Sequence, residues 1–151
     1  MKPIKQLSLL VTILLLSIMG YGQEVHTITL SVATDQVENS NTHEVCNFGQ
    51  DPGISNEEFT IFVALGDTVK WVGVSANAPD SDEVEITAIN HEGGARVFGR
   101  NKLNDTDGIV IGVVTEGREG DEEKYKVSFK VHNNGVKRNG TFHIDPKIKV
   151  K

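Results

Sequence analysis

The chain has 151 residues, 38% of them hydrophobic and 24% charged, a balance that suits one globular domain and excludes a mostly disordered or collagen-like chain. Its 21 acidic residues against 15 basic ones leave a formal net charge of −6, so it lacks the electrostatic footprint of a nucleic-acid binder. Cys46 is its one cysteine, so no intrachain disulfide can form and stability must come from burial and strand pairing.

The first segment reads as an address. Lys2 and Lys5 precede an apolar run from Leu7 to Met19, and Gly20-Tyr21-Gly22 places small residues at −3 and −1 ahead of Gln23. This is the pattern of a cleaved secretory leader over residues 1–22, with residues 23–151 as a single exported domain, periplasmic or extracellular. The 13-residue run is shorter than the roughly 20 residues a membrane-spanning helix needs. No cysteine follows it to carry a lipid, and no second such run occurs, so no membrane association is expected after cleavage.

Period-2 alternation dominates the chain beyond the leader. Ile28, Leu30 and Val32 share one face, as do Phe59, Ile61, Val63 and Leu65. Val69 and Trp71 resume after the Gly66-Asp67 turn. Val84, Ile86 and Ala88 alternate with Glu85 and Thr87; Ile109, Ile111 and Val113 form another set. Val127, Phe129 and Val131 come next, and Phe142, Ile144, Ile148 and Val150 close the chain. Each run predicts a strand with one face on a core. Turn residues divide them at Asp51-Pro52-Gly53, Asn77 to Asp80, Gly93-Gly94, Asp107-Gly108, Gly117 to Gly120 and Asn133-Asn134-Gly135. Thr34 to Asn56 is polar and reads as a long surface excursion. The sum is an all-β Greek-key sandwich of seven to eight strands.

Two stretches carry a family pattern. Phe59-Thr-Ile-Phe-Val-Ala-Leu-Gly-Asp-Thr-Val-Lys-Trp71 resembles the strand, Gly-Asp-Thr-Val-x-Trp, strand passage of the cupredoxins, the blue-copper superfamily. In such a turn Gly66 permits the tight bend and Asp67 can accept backbone N–H bonds. Tyr125-Lys-Val-Ser-Phe-Lys-Val-His132-Asn-Asn-Gly135-Val136, running on to Gly140-Thr-Phe-His-Ile144, resembles the last ligand loop of that family. The resemblance implies a cupredoxin-like scaffold and departs from the family at the metal. A type 1 centre needs two histidines and a thiolate, usually with a weak axial methionine. Phe129 stands at the thiolate position and Val136 at the methionine position; His132 alone matches a ligand, and Val72 to Asp82 holds no histidine. The blue-copper site is therefore expected to be lost. The leader's Gly-Gln end is also similar to that of exported proteins of the Bacteroidetes.

Other candidate chemistry is sparse. His43-Glu-Val-Cys46 sets an imidazole three residues from a thiol, a spacing able to chelate a soft metal if His132 or His91 completes the set. Asn104-Asp-Thr-Asp107-Gly108 fails the spacing of a calcium loop and reads as a turn. No Gly-x-Ser-x-Gly or His-Glu-x-x-His occurs. The expectation is a non-enzymatic exported binding or structural module without a cofactor, its partner an unknown protein or glycan and not a nucleic acid. Ser75–Asp82 and His132–Asn139 are the expected contact loops, and Lys137 and Arg138 make a local positive spot on the second. The alternative is a metal-binding, copper-trafficking protein using His132 with His43, Cys46 or His91. Sequencing the amino terminus of the exported protein should read from Gln23; a membrane-retained chain still starting at Met1 contradicts the leader.

Overall fold

A computed structural model describes residues 22–151, so the leader expected over 1–22 lies, except for Gly22, outside the described residues. The alternating runs become β1 (Val25–Val32), β2 (Cys46–Asn47), β3 (Thr60–Val63), β4 (Thr68–Ser75), β5 (Glu83–Gly94) and β6 (Lys102–Thr106). They continue as β7 (Ile109–Val113), β8 (Glu122–Asn133), β9 (Val136–Lys137), β10 (Phe142–Ile144) and β11 (Lys147–Val150). One short helix, α1 (Thr42–Val45), precedes β2. The fold is all-β, as the alternation requires, with eleven strands instead of seven or eight. The additional strands are short or polar: β2 and β9 have two residues each, and β6 carries no apolar alternation to betray it.

The strands form one curled, half-barrel sheet in the order β2-β1-β4-β7-β6-β5-β8-β11-β3, with β9 and β10 also paired to β8. Pairing is antiparallel except for β1 with β4 and β3 with β11. The curl passes through β6: Lys102, Leu103 and Asn104 pair with β5, while Asp105 and Thr106 pair with β7. Asp107 (φ 54°) and Gly108 (φ 76°) make the two-residue turn between β6 and β7, both left-handed as a tight hairpin demands.

The concave side is packed with Trp71, Tyr125, Phe129, Phe142, Leu30 and Ile86, each under 3% exposed. The Trp71 indole N–H donates to the Tyr125 hydroxyl at 3.2 Å, and the rings meet edge-on at 5.7 Å. Such an aromatic pair adds about 0.5–1.5 kcal/mol beyond its buried area. Burial pushes the Tyr125 phenol pKa well up, so it stays a neutral partner in this bond. At the β3–β4 turn Asp67 accepts the backbone N–H groups of Ala64 (2.8 Å) and Glu24 (3.0 Å) and contacts His26 Nε2 at 2.8 Å. Burial alone would raise its carboxyl; these donors outweigh it and bring the pKa down to about 2. The latch ties the start of β1 to the turn that opens β4.

Two local expectations change. On β7 the buried residues are Val110 and Gly112, while Ile111 and Val113 are 57% and 47% exposed. The inward position at 112 takes only glycine, because a Cβ there would lie 2.6 Å from Leu103 and 2.9 Å from Phe98. The run Thr34 to Asn56 is no free excursion. Val37, Thr42, Cys46 and Asn56 are buried, Phe48 stacks on Phe59 at 4.8 Å, and the Asn56 amide donates to the Cys46 carbonyl at 2.8 Å. Gly93-Gly94 ends β5, the two glycines still paired with Lys124 and Glu123 after a register shift. Gly94 (φ 78°) lies so close to the Glu122 carbonyl that no Cβ would fit.

β4 reaches β5 across the curl at Gly73, where an added Cβ would lie 2.5 Å from the Val84 carbonyl oxygen. Gly73→Ala should therefore destabilise the fold by about 1–3 kcal/mol, the usual range for overpacking. A urea midpoint unchanged from the parent would show that the β4–β5 contact is looser than this.

Candidate functional site

The loops expected to meet a partner do come together, and a buried carboxylate joins them. Asp82 ends the β4–β5 loop and is 8% exposed. It accepts the Asn134 backbone N–H at 2.9 Å and the Asn133 side-chain amide at 2.7 Å, both from the β8–β9 turn. It also accepts the hydroxyl of Thr34, just past β1. With the single Thr34 proton directed at the carboxylate, Ser75 is the donor in its 2.8 Å contact with Thr34. Asn77 Oδ1 accepts the Thr34 backbone N–H at 3.0 Å, and Ser75 Oγ accepts that of Ala78 at 3.1 Å. The Asn134 N–H, then Thr34 and Asn133, hold the Asp82 carboxyl below the usual range, against the opposing effect of burial. Three segments far apart in sequence are thus tied at one end of the curled sheet.

Asn134 (φ 51°) and Gly135 (φ 73°) form the β8–β9 turn. Beyond it, Val136, Lys137 and Arg138 face Val37, Glu38 and Asn39 across an open groove of about 540 Å³. Val136 is 70% exposed, whereas Phe142 at the groove's base is buried. Arg138 Nη1 donates to the Asp35 carbonyl at 3.1 Å, pinning one side of the groove to the other.

The residues matched to copper positions lie apart in character. Phe129 is fully buried, with its ring 5.5 Å from Phe142, so hydrocarbon occupies its surroundings. Val136 points into solvent. His132, on β8, is half-buried and directly opposite Glu83 on β5. Its Nδ1 is 3.8 Å from Glu83 Oε2, and that nitrogen is shielded from solvent without a hydrogen-bond partner.

The residues expected to chelate a soft metal have unlike surroundings. Cys46 is in the core opposite Val32 of β1, and burial pushes its thiol up to about 12, far from the thiolate a metal needs. His43 is exposed on α1. His91 lies in β5 with Nδ1 3.0 Å from Glu123 Oε1; Glu123, 1% exposed, also accepts the Val97 N–H at 2.8 Å. Burial raises the Glu123 carboxyl pKa despite those donors. Among the described residues, the groups of three or more metal-donor side chains within 4.8 Å are Glu24–His26–Asp67 and Glu83–Glu85–His132. His43, Cys46 and His91 belong to neither. Sequence reasoning found His132 and missed its neighbours; the available signal was Glu83-x-Glu85, which puts two carboxylates on one face of a strand.

Among the described residues no helix is long and apolar enough to cross a membrane. No protein-family model matches the chain, and no curated protein matches it. Among solved structures, the inclusion body protein PixA of Burkholderia cenocepacia J2315 is similar, with TM-score 0.61 and 15% identity over 88% of this chain and 99% of its own. The N-terminal domain of phage TP901-1 ORF48 matches with TM-score 0.38 and 13% identity, over 85% of this chain and 99% of that one. The PixA likeness shows a shared fold.

The lowered carboxyl of Asp82 sets the sign of a pH effect. A depressed folded-state pKa contributes stability above the unfolded value, and the contribution is lost as pH falls through the folded one. Asp82→Asn should be less stable than the parent at neutral pH, and the gap should narrow in acid below about pH 4, near the ordinary Asp value. Urea unfolding of both proteins across that range checks it; a gap independent of pH contradicts the role given to the carboxylate.

Proposed function

We propose that this chain is an exported, non-enzymatic binding or structural module on a copper-free cupredoxin-like scaffold, a Greek-key sandwich in its strand connections. Its partner, a protein or a glycan, is met at the end that carries the tied loops. The observation that carries this reading is the Asp82 network, which holds the β4–β5 loop and the β8–β9 turn in one arrangement before any partner arrives. Pre-ordering of contact loops reduces the entropy cost of association. Beside the network, the groove offers exposed Val136 and the Lys137 and Arg138 cations on an otherwise acidic chain.

Several features support a module over an enzyme. The polar groups at this end are engaged in holding loops: Thr34, Ser75, Asp82 and Asn133 all bond to one another or to backbone. Ser128 Oγ lies 3.1 Å from His143 Nδ1, yet Ser128 is only 6% exposed and receives the Asn90 amide at 3.3 Å, which leaves a substrate no route to its hydroxyl. The turn after β3, with Asp67 accepting two backbone N–H groups, supports the cupredoxin-like reading of that passage. Phe129 in the core supports the copper-free form of it. PixA, which shares the fold, is an inclusion body protein.

Photo-crosslinking in the native host tests the docking end. A crosslinking amino acid placed at Val136 should give a discrete adduct, whereas one at Glu119, in the turn before the opposite end of β8, should not. Equal adducts at both positions, or none at Val136, contradict this assignment.

A further inference from the structure

We propose that Glu83, Glu85 and His132 form a binding site for a divalent transition ion of the zinc class, separate from the groove and from any site built on Cys46. The geometry starts with the β5–β8 register. Glu83 and Glu85 stand two residues apart on β5 and share its outward face; His132 projects from β8 directly opposite Glu83. The three side chains bring donor atoms within 4.8 Å of one another. A tetrahedral zinc shell, with bonds near 2.0–2.2 Å, places donors roughly 3.4 Å apart, so a small side-chain closure completes the set. Glu83, exposed and extended from the strand end, has the freedom to make that movement.

Three further observations point to a cation. His132 Nδ1 is sealed from solvent and unpaired, although a buried polar atom ordinarily finds a partner. Lys130 stands opposite Glu85 in the register, yet among the described residues the ion pairing of the two glutamates is limited to the 3.8 Å Glu83–His132 approach. Glu85 is also held in place. Its stem lies against Gly108, and the next residue, Ile86, donates its N–H to the Gly108 carbonyl at 2.9 Å. The same two glutamates border a hollow of about 270 Å³ whose far wall is Val72, Gly73, Asp107 and Gly108. His132 does not line that space, which is open volume beside the two carboxylates only.

One imidazole and two carboxylates favour a borderline ion such as Zn(II) over Cu(I), which prefers thiolate and thioether sulfur. The rival group, Glu24–His26–Asp67, is a poorer host. Asp67 already accepts two backbone N–H groups and contacts His26, so a metal would have to break the latch at the β3–β4 turn.

Calorimetric titration of the purified chain with zinc chloride at neutral pH tests the site, alongside NMR of the histidine ring protons. The expected result is saturable 1:1 uptake that shifts the His132 ring signals and is lost in His132→Ala and in Glu85→Gln. Cys46→Ser, His26→Ala and His43→Ala should bind as the parent does. No saturable uptake by the parent overturns the proposal, as does uptake that survives both His132→Ala and Glu85→Gln or disappears in His26→Ala or His43→Ala. The ring shifts, read on the unaltered protein, decide the question even if one variant folds poorly. Because this readout involves no partner, its failure leaves the crosslinking result at Val136 standing on its own.

Discussion

The register of β5 against β8 governs both the core and the surface of this protein. These are the two longest strands, each of 12 residues, and they pair antiparallel along nearly their whole length. Val84 opposite Val131 and Ile86 opposite Phe129 face the core; Glu83 opposite His132 faces out. A slip of β5 by one residue would turn its faces over, burying Glu83 and Glu85 and exposing Ile86. The apolar side therefore enforces the polar side. The Glu83–Glu85–His132 grouping is held where it is by hydrocarbon that never touches it.

The pairing also explains why the chain folds without a disulfide. β8 has β5 on one edge and β9, β10 and β11 along the other, so a single strand organises much of the sheet. The curl through β6 then brings β4 back over β5, close enough at Gly73 that only hydrogen fits. Trp71 from one side of the curl and Tyr125 from the other seal the interior with an indole-to-phenol hydrogen bond. Asp67 closes one turn and Asp82 gathers the loops at the other end. Both are buried carboxylates whose donors keep them ionised, and both convert a desolvation cost into loop order.

Phe129 packs in the core, and Phe142 lies beside it across the β8–β10 pairing. His132 faces carboxylates on the neighbouring strand. Cys46 belongs to a different neighbourhood, buried opposite Val32 at the sheet edge, where its raised pKa makes it a small apolar side chain in practice.

The sequence by itself determined the all-β class, the positions of the long strands, the Gly66-Asp67 and Asn133–Gly135 turns and the core role of Trp71. Period-2 alternation and left-handed turn residues are local properties, readable from a few neighbours at a time. It also marked His132 and the two loops that meet. What it could not convey depends on contacts across the sheet. Ile111 and Val113 look buried by alternation, yet Phe98 and Leu103 claim the inward side and leave it to Gly112. β6 shows no pattern because it is an exposed strand carrying the curl. Asp82 and Glu83 look alike in an acidic run. Only the tertiary structure separates them: Asp82, at the end of the β4–β5 loop, turns inward to the N–H groups of the β8–β9 turn, whereas Glu83 opens β5 on its outward face opposite His132, because the β5–β8 pairing decides which side of the strand is the core.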